Sequence, residues 1–307
     1  MQFFCHFGYI YVAKIIINQG KYMLKGIIIM MALAIGLAGC AAPQYIPLSQ
    51  ENAKKIQTVN VRSLVVQDEV LAKADPSTVS AALGGGLIPA LIDASVTNAR
   101  QARLQTAMDA MYESLEDYDF RTIYWPELTR QLHEQYPFKV MNVVTTARAM
   151  PAKDVLQHVQ NLKDGEAELF ISTDYYLSTD LRSLNIITAC SLWTNGAQEP
   201  VYKNSLKYQS AALGSGGEQS AKAWAADGGK PFFDKLKEGI DETLAMLSID
   251  VKNNVTATAK TDKMDVKFNF GENASAKQKA VNGTLVDKRG ERVIIRGASG
   301  SLYSLLP

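Results

Sequence analysis

The hydrophobic positions of this chain switch repeatedly between a period of two and a helical period. From residue 58 to 66, Val59 and Val61 alternate with Asn60 and Arg62, which predicts a half-buried strand. Between residues 98 and 120, apolar side chains recur every three or four residues, which predicts an amphipathic helix. The predicted strands are 58–66, 140–147, 168–177, 184–194 and 201–210. The predicted helices are 98–120, a short one around Leu128 and Leu132, 151–162 and 231–248.

The order of these elements predicts the fold class. Read along the chain it is β-α-β-α-β-β-β-α, and one mixed sheet with helices packed on it would bury every apolar face. We therefore predict an α/β (α+β) domain over residues 56–250. Residues 251–307 predict a polar linker with a possible strand at 266–270, followed by two or three short strands. These strands form either a small C-terminal β appendage or an extension of the sheet.

Five aromatic side chains fall on the three consecutive strands of this predicted sheet. In an exposed patch such side chains are typical binding anchors, whereas inside a sheet core they only pack. The pattern favours packing, and binding remains the alternative. The five residues are Tyr175, Tyr176, Trp193, Tyr202 and Tyr208.

The amino-terminal residues carry a secretory pattern. Met23 is followed by Lys25 and then by an uncharged apolar run, 27–37, that is too short to remain as a membrane-spanning helix. A basic start, a short apolar run and small residues after it predict a signal peptide over 23–39. We interpret residues 1–22 as lying upstream of a true start at Met23, and a long two-part amino-terminal region is the alternative.

The run ends in Leu37-Ala38-Gly39-Cys40, which resembles the lipobox of bacterial lipoproteins. The resemblance implies that a signal peptidase cuts before Cys40 and that this cysteine carries the lipid. Ala41 stands where an aspartate is the usual inner-membrane retention signal, so the resemblance implies the outer membrane, with the domain facing the periplasm. Residues 40–55 then predict a lipidated tether, because they contain two prolines and polar side chains.

Charge and cysteine content change this picture little. Of 32 basic and 31 acidic side chains, three lysines precede Cys40, which leaves 29 and 31 in the mature chain, a net charge of −2. A net charge of −2 does not indicate the basic surface that a nucleic-acid-binding protein needs. After Cys40 only Cys190 remains, so no internal disulfide is expected, and its apolar strand predicts a buried thiol.

We find no residue pattern that predicts catalysis, a metal site or a cofactor. His133 and His158 have no cysteine or histidine at ligand spacing, and no Gly-x-Ser-x-Gly elbow occurs. Ser215 lies in a glycine-rich stretch that predicts a flexible loop before the last helix. Carboxylates at Glu113, Glu116, Asp117 and Asp119 predict a solvated helix surface. The sequence therefore does not predict an enzyme.

Residues 79–97 combine small residues with an apolar set, centred on Gly84, Gly85, Gly86, Leu87 and Ile88. Glycines allow close backbone approach in apolar contacts, so the segment could enter a membrane or self-associate. A glycine-rich loop before a buried helix is the alternative that Pro89 and Asp93 favour.

The element order of residues 56–250 resembles the periplasmic α/β domain of the curli-secretion and penicillin-binding-protein-activator lipoproteins and of the Tol translocation protein. The resemblance implies assembly, secretion or regulatory roles without catalysis. We therefore expect an outer-membrane lipoprotein that binds or assembles another envelope protein. A self-assembling export or pore component is the alternative, and an enzyme is the least favoured.

Overall fold

The computed structural model describes residues 45–67, 70–72, 106–109, 111–115, 118–256, 263–268 and 279–306. Within these ranges we number four helices: α1 (Gln50–Lys55), α2 (Phe120–Gln135), α3 (Ala152–Gln160) and α4 (Gly217–Thr256). Residues 106–109 and 111–114 are also helical. Ten strands in the same ranges are β1 (Thr58–Leu64), β2 (Leu71–Ala72), β3 (Lys139–Thr146), β4 (Glu166–Leu177), β5 (Leu184–Thr194), β6 (Tyr202–Gln209), β7 (Lys263–Phe268), β8 (Lys279–Arg289), β9 (Arg292–Gly297) and β10 (Leu302–Leu305).

All ten strands belong to one mixed sheet. Its order is β3-β1-β4-β5-β6-β10-β9-β8-β7, and β2 pairs beside β4. Strand β1 runs parallel to both β3 and β4, and β4, β5 and β6 form an antiparallel meander. A mixed sheet with helices packed on it is therefore confirmed as the fold class, because the sheet contains both parallel and antiparallel pairs.

Helices α2 and α4 cover one face of the sheet, which we call the helix-covered face. On β1 and β4 the side chains of Val61, Leu169 and Ile171 point to this face and are buried. The predicted apolar stripe of residues 231–248 belongs to the same buried core, with Phe232 and Ile240 both 0% exposed. The apolar side chains of the strands and of the helices pack together in this core. This explains why the sequence shows both a period of two and a helical period.

Helix α4 is longer than the predicted helix and is broken in the middle. Asp227, Gly228 and Gly229 have φ angles of 51°, 66° and 80°, so the backbone leaves the helix and re-enters it near Pro231. Proline is tolerated in the first turn of a helix and glycine accepts a positive φ. The sequence predicted only the second part, and the first part begins at Gly217, directly after the predicted loop.

Gly239 allows α4 to lie close to the sheet. A Cβ atom there would come within 2.6 Å of Ile186 Cδ1 and of Tyr208 Cδ1. We expect Gly239→Val to lower the free energy of unfolding by about 1–3 kcal/mol, because an overpacked core must shift. Urea unfolding measures this, with Lys237→Val on the exposed side of the same helix as the matched control. Equal losses for the two variants would show that close packing at Gly239 is not responsible.

The four C-terminal strands extend the main sheet. Strand β10 lies between β6 and β9, parallel to β6 and antiparallel to β9. Gly290 and Gly300, with φ angles of 60° and 86°, lie in the turns that flank β9. Of the two possibilities that the sequence left open, the observed one is the sheet extension.

Residues 45–55 belong to the domain, which differs from the predicted free tether. Ile46 exchanges backbone hydrogen bonds of 2.8 and 2.9 Å with Lys203 of β6. Leu48 is 1% exposed, and the Ser49 side chain caps α1 by accepting from the Asn52 N–H at 3.1 Å. Prolines and polar residues suggested a solvated tether, but Ile46 and Leu48 supply enough apolar surface to hold the segment on the sheet.

Several sequence predictions fall outside the described residues. They are the signal peptide 23–39, the lipobox from Leu37 to Cys40, and the segment 79–97 with its centre at Gly84–Ile88. Among the helices that the structure does describe, none is both long and apolar enough to cross a membrane.

Candidate functional site

The face of the sheet opposite α2 and α4 carries the candidate site, at the side where β3 forms the edge. Side chains alternate along β1, so Val61 and Ser63 are buried beneath the helices while Arg62 and Leu64 point to the opposite face. On β4 the same alternation directs Phe170 to the opposite face, beside Arg62 in the β1–β4 register.

Helix α3 covers only part of this opposite face. Val155 and Val159 pack on Phe170, together with Leu162, and form a small apolar cluster separate from the main core. Met150 and Trp193 pack against its margin. The uncovered part lies beyond the amino-terminal end of α3, towards the final residues of β1 and β3. The loop that leads into α3 runs beside it.

A groove of about 210 Å³ lies in this region. Its lining residues are Arg62, Leu64, Thr146, Arg148, Met150, Phe170 and Ile171. The Thr146 hydroxyl accepts from the Arg148 backbone N–H at 3.1 Å, and this turn brings Arg148 back beside the end of β3. The groove therefore combines two guanidinium groups with an apolar wall.

The two arginines differ in their charge environment. Arg62 Nε lies 3.4 Å from Glu168 Oε1, and His158 Nε2 lies 3.3 Å from Glu168 Oε2. The Glu168 side chain is only 3% exposed, so it is held between these two groups beneath α3. Arg148 is exposed, and no acidic partner for it occurs in the part of the chain that the structure describes. A guanidinium group presents planar donors that match a carboxylate or phosphate.

The aromatic prediction is resolved in favour of packing for four of the five residues. Tyr175, Tyr202 and Tyr208 are 0% exposed and Tyr176 is 1% exposed, so none of these rings is available as a binding anchor. The Tyr175 ring stacks on Phe120 with centroids 4.3 Å apart. For these four residues the packing alternative holds, because their rings are buried.

Trp193 is the exception, because it is only partly buried. It packs at the margin of the α3 cluster, and its indole N–H donates to the Ser191 hydroxyl at 3.1 Å. Its position on β5 places it away from the lining of the groove.

The remaining sequence candidates do not come together. Cys190 is buried as predicted, and burial raises the pKa of its thiol. Ser215 lies exposed before α4, where its hydroxyl donates to Gln219. Asp119 caps α2 by accepting from the Arg121 N–H at 2.9 Å, and His133 lies exposed in the last turn of that helix. Within the described ranges no group of three or more His, Cys, Asp or Glu could hold a metal ion.

Sequence reasoning missed a buried charge cluster on the helix-covered face. Asp250 of α4 is 0% exposed and accepts from the Tyr202 hydroxyl at 2.9 Å and from the Asn204 amide at 2.5 Å. Arg296 of β9 pairs with its other oxygen at 2.5 Å. Burial, and then the nearby Asp250 charge, raises the pKa of Tyr202. This cluster joins α4 to β6 and β9.

A second buried charge lies nearby. The Arg292 guanidinium donates to the Ser304 hydroxyl and to Glu238 at 2.9 Å each, and also to the Gln209 carbonyl at 2.5 Å. A signal for both clusters was present, because Asp250 lies in phase with Leu247 on the apolar stripe of α4. On β9, Arg292 and Arg296 alternate in phase with the buried Ile294.

Comparison with known proteins assigns no family. No family model matches the chain, and no curated protein matches it. Among solved structures, the 1.65 Å structure of the hypothetical protein CT253 from Chlamydia trachomatis is similar over 65% of this chain and 99% of that chain. The two sequences are 11% identical and the TM-score is 0.27, so the similarity carries no argument about function.

Proposed function

We propose that this chain is the precursor of a lipoprotein that is anchored through Cys40 to the outer membrane and faces the periplasm, where it binds or assembles another envelope protein without catalysis. The lipobox at Leu37–Cys40, directly after the apolar run, is the observation that carries this proposal. Diacylated or triacylated cysteine anchors a protein stably, whereas one acyl chain binds a membrane only marginally.

The fold supports the proposal because it limits the distance between the anchor and the domain. Five residues, 41–45, separate Cys40 from Ile46, which is hydrogen-bonded to Lys203. At about 3.3–3.6 Å per residue, this connection reaches roughly 20 Å at most. A domain anchored through so short a connection would remain close to the membrane surface.

The same connection implies an orientation. Lys203 lies near the start of β6, and the pairing of β4, β5 and β6 puts the starts of β1, β4 and β6 at one end of the sheet. Leu64 and Thr146 of the groove lie at the final residues of β1 and β3, at the opposite end. The groove would therefore lie towards the end of β1 and β3 that is farther from the anchor.

The groove also suits binding. Arg148 can hold an anionic group, and Leu64, Met150 and Phe170 offer apolar surface beside it. Aromatic, methionine and arginine side chains are enriched at protein interfaces relative to the rest of a protein surface. These features support a partner that combines acidic and apolar side chains.

Lipidation and membrane attachment test this proposal directly. We expect wild-type cells to incorporate labelled palmitate into the protein and to hold it in the outer-membrane fraction of a density gradient. Cys40→Ser should lose the label and accumulate as an unprocessed precursor, because the acylated sulfur is gone. Cys190→Ala is the matched control and should keep both label and location, since its thiol is buried in the sheet. A label retained by Cys40→Ser would show that the proposal is wrong.

A further inference from the structure

Strand β3 leaves one row of its backbone groups unpaired in the part of the chain that the structure describes. It pairs with β1 on one side and is the terminal strand of the sheet. The Val65 N–H donates to the Thr146 carbonyl at 3.0 Å, so the backbone groups of Thr146 point towards β1. Because these groups alternate along a strand, those of Val143 and Thr145 point outwards. They can accept a further strand.

The side chains of β3 do not protect this edge against pairing with another strand. Natural edge strands are protected by charges, prolines or short length. Strand β3 has 8 residues and no proline, and Lys139 at its first position is its single charged residue. Met141 and Val144 are 55% and 38% exposed, which makes them two of the four large exposed apolar side chains among the described residues. An edge with this composition is typical of a pairing site.

The charge around the edge indicates what kind of strand it accepts. No acidic residue occurs from Lys139 to Lys153, and Arg148 follows β3 directly. In the β1–β3 register Val144 lies beside Arg62, so side chains of an added strand on this face would reach the groove. Acidic side chains alternating with apolar ones would pair with Arg148 and cover the apolar surface.

A second copy of this chain fits the edge less well. The other terminal strand of the sheet, β7, contains Lys263 and Lys267 with one acid, Asp265. Pairing β7 of one copy with β3 of another would bring lysines towards a basic edge, and like charges across a strand pair are destabilising. The charges therefore disfavour this pairing between copies.

We propose that an extended segment of another envelope protein, with alternating acidic and apolar residues, binds by adding a strand to the outer edge of β3, with its acidic side chains towards Arg148. This inference rests on the proposed function, because it names the binding surface of the anchored module. In this mode, main-chain hydrogen bonds provide affinity, and contacts with alternate side chains provide specificity.

Photo-crosslinking in intact cells tests the inference on the full-length, lipidated protein. A benzophenone amino acid at Val144 should capture an envelope protein, and mass spectrometry should locate the crosslink in a segment rich in acidic and apolar residues. The double variant Lys139→Glu with Arg148→Glu should reduce the yield about tenfold, a loss of about 1.4 kcal/mol. Lys222→Glu with Lys230→Glu is the matched control, since both lysines are exposed on α4.

A backbone variant separates strand addition from simple charge attraction. Thr145→Pro removes an outward N–H and should abolish the crosslink, whereas Thr145→Val keeps that N–H and should retain it. The Thr145 hydroxyl has no hydrogen-bond partner, so valine is a mild replacement. Thermal unfolding of both variants shows whether they fold, and if Thr145→Pro does not, Val143→Pro removes another outward N–H and makes the same test.

Three outcomes would overturn the inference. They are a crosslink unaffected by both the proline and the charge reversal, a crosslink to a basic or helical segment, and self-crosslinks at Val144. Benzophenone at Ser215, in the exposed loop before α4, distinguishes this failure from failure of the proposed function. Capture of an envelope protein at Ser215 but not at Val144 would leave the anchored binding module standing and remove β3 as its surface.

Discussion

Replacing Asp250 with alanine is expected to lower the free energy of unfolding by about 3–5 kcal/mol, because it removes one partner of a buried ion pair. Arg296, only 22% exposed, would lose its acid, and the Tyr202 hydroxyl and Asn204 amide would lose their acceptor. A buried donor without a partner costs more than the net value of the bond it made.

Urea unfolding measures this loss as a lower midpoint with an unchanged slope. Asp234→Ala is the matched control, because Asp234 pairs with Lys230 on the surface of the same helix, and both side chains are more than half exposed. An exposed pair of this type contributes about 0–1 kcal/mol. Losses of the same size at Asp250 and Asp234 would show that the buried cluster is not a major source of stability.

The second large effect is expected at Trp224, in the first part of α4. Its ring is 0% exposed and meets Phe232 edge-to-face at 6.4 Å, and its indole N–H donates to the Leu181 carbonyl at 2.6 Å. Trp224→Ala should lower the free energy of unfolding by about 3–5 kcal/mol through the cavity it leaves. Thermal and urea unfolding both report this change.

Trp224→Phe separates the cavity from the hydrogen bond. Phenylalanine keeps most of the apolar volume but leaves the Leu181 carbonyl without its donor, which should cost about 1–3 kcal/mol. Leu181 has a φ of 60° in the connection between β4 and β5, a conformation that leucine rarely adopts, so the indole also helps to hold this turn. If alanine and phenylalanine were equally destabilising, packing of the ring would not be the main contribution.

The sequence predicted the elements with local, regular patterns. Strand β5 was predicted over its observed span because its apolar run is bounded by turn residues, and the Asn195-Gly196 turn follows it with a φ of 69° at the glycine. The second part of α4 was predicted because Phe232, Leu236 and Ile240 follow a helical period. The buried position of Cys190 was predicted because it lies within the apolar pattern of strand β5.

The features that the sequence did not reveal depend on distant partners. Pairing of β10 with β6 is parallel and joins Leu302 to Leu206, so no local turn signals it. The groove also could not be predicted, because Arg62, Arg148 and Phe170 come together only when β1, β3 and β4 are neighbours. Asp250 and Arg292 were overlooked because charged residues are normally assigned to the surface.

The insertion of β10 between β6 and β9 has a consequence for the order in which the protein can fold. Strand β6 cannot pair on that side until residues 302–305 are available, although its partner β5 precedes it directly. During synthesis from the amino end, β6 therefore has one unpaired edge for the time needed to make β7 to β9. Distant pairings slow folding and leave such edges open to aggregation. We expect the nascent chain to remain incompletely folded and dependent on chaperones until β10 has been synthesised.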